Sequence, residues 1–215
     1  MNPPPESETV YIVDDDVSYL RSVARLIEAA GYSVKAFDSA EKFLDQLSPE
    51  TRGCLLTDLR MPSLDGLDLQ EELGGPASPL PVVFISAQGD IPTTVQAMRA
   101  GAEDFLTKLC PKEKLLEAIR RAMERGRHER ATRDRLHELQ TRFSALTPRE
   151  LQVLERVVQG KLNKQIAEDL GINERTVKLH RTNLTRRLQV QSVAELTRLV
   201  EECELFKRSR AATGA

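Results

Sequence analysis

The chain is poor in cysteine: its three thiols, Cys54, Cys110 and Cys203, are isolated and odd in number. That excludes a disulfide framework and a cysteine metal site, and it suits the reducing cytosol. The three histidines are equally scattered: His128 and His137 lie in a charged stretch and His180 stands alone, so no histidine metal site is expected. No run of about 18 apolar residues occurs, which argues against a membrane span. The opening "MNPPPESE" lacks the basic and apolar regions of a signal peptide. A cytoplasmic protein without membrane contact is expected. Internal repeats are absent, and so are low-complexity tracts beyond the early prolines.

What is present is a soluble composition, 40% hydrophobic and 30% charged, over 215 residues. That length accommodates two small domains. The net charge of −2 hides a division: residues 1–110 hold 18 acids against 8 bases, and the remaining 105 hold 15 against 23. The basic half is a candidate for binding nucleic acid.

Strand-like and helix-like segments alternate through the acidic half. "TVYIV", "YSVKAF", "GCLLTD", "PVVFIS" and "AEDFLT" read as strands. Between them lie amphipathic runs such as "SYLRSVARLIEAAG", with Leu20, Val23, Leu26 and Ile27 on one face and Gly31 as a stop. Ser39 is placed to cap the second helix. Five strands alternating with five helices imply a parallel sheet covered on both faces, an open doubly wound α/β fold. Such sheets put their sites at the carboxyl ends of the strands.

Those ends carry Asp14 and Asp15, then Asp58, then Ser86, with Lys108 just after the fifth strand. Crowded carboxylates need a cation, and an all-oxygen donor set suits Mg²⁺. A metal beside a carboxylate can stabilise a phosphoryl group passing onto that carboxylate. Asp16 falls one residue further into the turn and is expected to cap the helix from Val17.

From Ala118 to about Phe143 the helix formers continue, and the spacing predicts one extended linker helix with Gly126 a candidate bend. Leu136, Leu139 and Phe143 form an apolar face near its end. "LTPRELQVL" then opens a new helix, with Thr147 as N-cap, Pro148 at N1 and Glu150 completing a capping box. Helices are predicted over 163–170, 174–188 and 192–206. Gly171 stops the first of these and Asn173 caps the second, which makes a helix-turn-helix. Arg175, Lys178, Arg181, Thr182, Arg186 and Arg187 can face a polyanion while Val177, Leu184 and Leu188 pack inward.

"YIVDDD", "LLTDLRMPSLDG", "VVFISA" and "AGAEDFLTK" together resemble the receiver domain of two-component response regulators over about residues 8–125. The resemblance implies that Asp58 accepts a phosphoryl group from a sensor histidine kinase. It implies that Asp15, Asp58 and the backbone carbonyl of Arg60 bind Mg²⁺, with Asp14 assisting through water. Ser86, Phe105 and Lys108 take the switch hydroxyl, switch aromatic and lysine positions. Arg60 and Gln88 flank the acceptor where relatives tune phosphoryl lifetime. The family usually has proline directly after the lysine. Leu109 stands there instead, so a trans Lys108–Leu109 bond and a reshaped loop are expected.

"LTPRE", "NKQIAEDLGI" and "TVKLHRTNL" resemble the LuxR-type helix-turn-helix over about 144–206. With the receiver this resembles the FixJ/NarL family, and the long linker its styrene-catabolism branch. Family position implies base contacts from Lys178, Leu179 and Thr182. It implies phosphate contacts from Lys164, Gln165, Thr176 and His180, with Arg175 and Arg181 on the same basic face.

The expected architecture is a receiver at 1–125, a linker helix at 126–143 and an all-α DNA-binding domain at 144–215. The expected function is a non-enzymatic transcription factor that phosphorylation of Asp58 drives to homodimerise, with double-stranded DNA and RNA polymerase as partners. The alternative is an Mg²⁺-dependent phosphatase or a phosphorelay module built on Asp58.

Overall fold

The computed structural model describes the backbone of residues 8–213 apart from 49, 76, 77, 79 and 88–90, with side chains as far as Cys203. Gln88 lies outside the described residues. The chain forms two compact units, Met1–Ala131 and Thr132–Ala215.

The first unit is built on five strands: β1 (Thr9–Val13), β2 (Ser33–Phe37), β3 (Gly53–Asp58), β4 (Val82–Ser86) and β5 (Asp104–Thr107). They alternate with α1 (Val17–Ala29), α2 (Ala40–Leu44), α3 (Gly66–Glu72), α4 (Ile91–Arg99) and α5 (Lys112–Ser144). Every pairing is parallel and the order is β2-β1-β3-β4-β5. β3 and β4 are buried along their whole length, as their unbroken apolar runs require, while the edge strands β2 and β5 are half-exposed.

The alternation of side chains along β1 divides the core. Val10 and Ile12 pack with Val23 and Ile27 of α1 and with Leu115, Ile119 and Met123 of α5. Tyr11 and Val13 face the other way, among Phe43 of α2, Leu69 of α3 and Ala97 of α4. This is the doubly wound arrangement that the strand–helix alternation predicts.

Gly126 does not break the last helix. α5 runs from Lys112 to Ser144 without interruption. A Cβ at Gly126 would sit 3.2 Å from the carbonyl oxygen of Gly53 and 3.2 Å from Pro81 Cδ. The glycine is there for close approach of the helix to the base of the sheet, not for a bend.

The second unit contains the end of α5 with α6 (Pro148–Val158), α7 (Asn163–Leu170), α8 (Glu174–Leu188) and α9 (Val193–Thr213). Leu139 of α5 joins Val153, Leu154, Ile166, Val177, Leu184, Leu188 and Leu196 in its core. The final helix begins one residue later and runs seven residues further than the 192–206 expected. The polar tail "KRSRAAT" carries no apolar period to mark it as helical, and it contains no Pro or Gly to stop the turn before it.

Gly66 begins α3 directly beneath the end of β3. A Cβ there would lie 2.3 Å from the carbonyl oxygen of Asp58 and 2.9 Å from Phe84 Cε1. Gly66→Ala should therefore destabilise the first unit by about 1–3 kcal/mol. Calorimetry should show the loss as a lower thermal midpoint. An unchanged midpoint would mean that the β3–α3 backbone is free to retreat.

Candidate functional site

The carboxyl ends of the central strands bring the predicted acids together. Asp14 follows β1, Asp58 ends β3, Ser86 ends β4 and Lys108 follows β5. One carboxylate oxygen each from Asp14, Asp15 and Asp58 lies within 4.8 Å of the others. Asp14 and Asp58 are buried, and Asp15 is exposed at the rim.

Lys108 reaches into this cluster. Its Nζ stands 2.7 Å from Asp14 Oδ2 and 2.7 Å from Asp58 Oδ2, and it donates a hydrogen bond to Asp14 Oδ1 at 3.0 Å. Leu109, in the place of the family's proline, does not prevent this. No described peptide bond is cis, and Leu109 points out, 93% exposed. The Lys108 backbone is held by its N–H, which donates to the Ser86 carbonyl at 2.8 Å.

The electrostatics follow from burial. Desolvation holds the Asp14 carboxyl above the ordinary carboxylate range, against the pull of Lys108 and of the Asp16 N–H. For Lys108, burial is the largest single influence and pushes down, but the hydrogen bonds and charges of Asp14 and Asp58 together carry it up. The single ammonium offsets one of three negative charges.

Asp14 Oδ2 is buried and receives no hydrogen bond of good geometry, although Lys108 is near. An under-satisfied carboxylate oxygen in an all-oxygen, net-negative cluster fits a hard divalent cation. Arg60 donates its backbone N–H to Asp58 Oδ1 at 3.3 Å, which puts the following backbone at the pocket.

Around the acceptor, Ser86 is buried and Phe105 half-buried. Phe105 pairs in register with Phe84, and their rings stack with centroids 6.1 Å apart. Asp16 stands apart from the cluster as expected: its Oδ1 accepts from the N–H groups of Ser18 (2.9 Å) and Tyr19 (3.1 Å), capping α1.

One residue escaped the sequence reading. The ring of Tyr19 lies under Lys108, with Nζ 4.7 Å from its centroid. Burial, then the neighbouring Cys110, Asp14 and Asp58, push its hydroxyl pKa up. The available signal was its place in the first turn of the helix leaving β1, since helical side chains lean back toward the N-terminus.

In the second unit, Thr147 and Glu150 form the predicted capping box. Glu150 is buried and also meets Arg187 at 3.3 Å; burial pushes its carboxyl pKa up, but the Thr147 hydrogen bonds with the charges of Arg187 and His180 together carry it down. Gly171 ends α7 in the left-handed region, and Asn173 Oδ1 accepts from Thr176 N at 2.8 Å to start α8. α7 and α8 thus meet at a tight, capped turn.

The basic residues of this face divide by what holds them. Lys164, Arg175 and Lys178 are exposed and have no ion-pair partner among the described residues. Leu179 is 59% exposed beside them, and Thr182 is exposed with its hydroxyl on the Lys178 carbonyl. His180 is half-buried. Arg181 donates to Asn163 Oδ1 at 2.9 Å, Arg186 to Asn183, and Arg187 to the Ala145 carbonyl. Gln165 Oε1 accepts the Leu162 N–H at 2.8 Å, so its oxygen helps to start α7.

A parallel sheet with an acidic pocket, followed by a basic helix-turn-helix unit, defines a signal-receiving regulator of transcription. Residues 10–120 match the response regulator receiver domain, and residues 144–200 match the bacterial regulatory proteins of the luxR family. The chain is 43% identical to the response regulator protein TodT of Pseudomonas putida over 195 residues, 91% of this chain and 86% of that one. It is 41% identical to the transcriptional regulatory protein FixJ of Rhizobium meliloti over 192 residues, 89% and 94% of the two chains. Among solved structures, the response regulator StyR superposes with a TM-score of 0.86 at 45% identity, covering 91% of this chain and 99% of that one. Full-length FixJ from B. japonicum superposes with a TM-score of 0.57 at 34% identity, covering 94% and 99%. The chain belongs to the FixJ/NarL-type response regulators and is a transcriptional response regulator.

The capping role of Asp16 is separable from the pocket. Asp16→Ala should lower stability by about 0.5–2 kcal/mol through the lost N-cap. Urea titration should show a lower midpoint with an unchanged slope; an unaltered midpoint would mean that α1 starts without this cap.

Proposed function

We propose that the chain is a phosphorylation-controlled switch acting on DNA, with Asp58 as phosphoryl acceptor. The observation that carries this reading is Lys108 Nζ at 2.7 Å from both Asp14 Oδ2 and Asp58 Oδ2, in a cluster of three converging carboxylates. The donor is a phosphohistidine of a sensor kinase. An Asp58 oxygen forms the new P–O bond while the P–N bond to histidine breaks and its electron pair stays on the imidazole.

Asp15, Asp58 and the Arg60 carbonyl would hold Mg²⁺ directly, with Asp14 assisting through water. The cation supplies charge neutralisation of the phosphoryl oxygens in the transfer. Lys108 meets one phosphoryl oxygen and Ser86 another. The added charge, about −1.5 to −2, draws Ser86 inward and lets Phe105 turn in behind it. That shifts a population toward the state that homodimerises.

The dimer presents two α8 helices to a two-fold-related site on double-stranded DNA. Lys178, Leu179 and Thr182 read base edges. Lys164, Gln165, Thr176 and His180 contact phosphates, and Arg175 and Arg181 add positive charge on the same face. The domains are the receiver at 1–125, the linker at 126–143 and the DNA-binding domain at 144–215. The protein acts in the cytoplasm on RNA polymerase at promoters, as a switch rather than as an enzyme.

Two experiments test this reading. With acetyl phosphate as donor, the wild type should gain one phosphoryl group by mass spectrometry and Asp58→Asn none. Asp15→Ala should lose Mg²⁺ binding in a calorimetric titration. Continued labelling of Asp58→Asn would place the acceptor elsewhere.

Lys178→Ala should cost about 1–3 kcal/mol of discrimination between operator and random DNA, measured by fluorescence anisotropy on fragments selected by the phosphorylated protein. An equal fall for both DNAs would make Lys178 a phosphate contact.

A further inference from the structure

We infer that Tyr19 is a positioning residue for Lys108, and that its ring keeps the ammonium seated between Asp14 and Asp58. The inference rests on Asp58 being the phosphoryl acceptor.

Lysine carries its charge on a flexible four-carbon stem, so something must select one geometry. The backbone is held on both sides of Lys108, by its N–H on the Ser86 carbonyl and by the Cys110 N–H on the Thr107 carbonyl at 2.9 Å, but neither bond sets the side-chain torsions, and Leu109 is 93% exposed. Asp14 and Asp58 attract the ammonium, but their oxygens are also those that a divalent cation and an incoming phosphoryl group would engage. A restraint independent of those oxygens is needed while they change partners.

Tyr19 supplies one. Lys108 Nζ stands over the ring, 4.7 Å from its centroid, within the range where the ring quadrupole attracts a cation, and the attraction grows as water is excluded. The Lys108 side chain is only 14% exposed. Asp16 holds the backbone of Tyr19, its cap taking the Tyr19 N–H at 3.1 Å. A leucine at position 19 would fill similar space but would offer no π face.

The test uses the full-length protein labelled with ¹³C-lysine. The ε-methylene signal of Lys108, assigned by its loss in Lys108→Arg, should be shifted upfield by the ring current. Tyr19→Phe should keep that shift. Tyr19→Leu should move the signal to the position of solvent-exposed lysines and slow phosphorylation by acetyl phosphate about three- to tenfold. Tyr19→Met provides a second non-aromatic replacement should the leucine variant fail to fold. Two results would overturn the inference. One is a folded leucine or methionine variant with the wild-type signal and rate. The other is a phenylalanine variant as slow as leucine, which would give the role to the hydroxyl. If the wild type itself takes up no phosphoryl group, the acceptor reading fails, while the lysine spectrum still decides the contact with Tyr19.

Discussion

Three carboxylates crowded at the end of a parallel sheet repel one another, and the ammonium of Lys108 is the group that lets them stay. It reaches both Asp14 and Asp58 at 2.7 Å. Two features of the fold make that contact possible. The strand order sets β1 beside β3, β3 beside β4 and β4 beside β5, so residues far apart in the chain share one edge. The buried runs of β3 and β4 then leave polar groups only at their ends. Because burial already raises the pKa of Asp14, the cluster holds its charge at a cost that a bound divalent cation would relieve.

Much of this was legible in the residues. The strand and helix alternation gave the doubly wound sheet, because apolar runs and amphipathic periods are local signals. Asp16, Ser39, Thr147 with Glu150, and Asn173 all cap where their side-chain chemistry said they would, since a cap needs only its own first turn. Asp14, Asp15, Asp58 and Lys108 converge because strand ends are a topological property.

What stayed hidden depends on distance across the fold. Gly126 looked like a bend, yet its lack of a side chain answers to Gly53 and Pro81, far off in sequence. Tyr19 read as a helix residue beside the apolar face of α1; its stacking on Lys108 comes from the loop after β5. The extent of α9 was hidden for a different reason, since its polar end has no period to read. Arg187, which sequence placed with the polyanion-facing charges, is held by Glu150 and the Ala145 carbonyl.

The same sorting of arginines bears on how the second unit would sense ionic strength. A guanidinium paired with a carboxylate has part of its charge already answered, whereas one that donates to a neutral amide or carbonyl keeps its full charge for a phosphate. Arg187 meets Glu150, Arg181 and Arg186 donate to the neutral amides of Asn163 and Asn183, and Lys164, Arg175 and Lys178 have no ion-pair partner among the described residues. Each phosphate neutralised contributes about −0.9 to the slope of log affinity against log salt. On the proposed reading, the salt slope therefore counts phosphate contacts made rather than basic residues present, and Arg187 adds least to it.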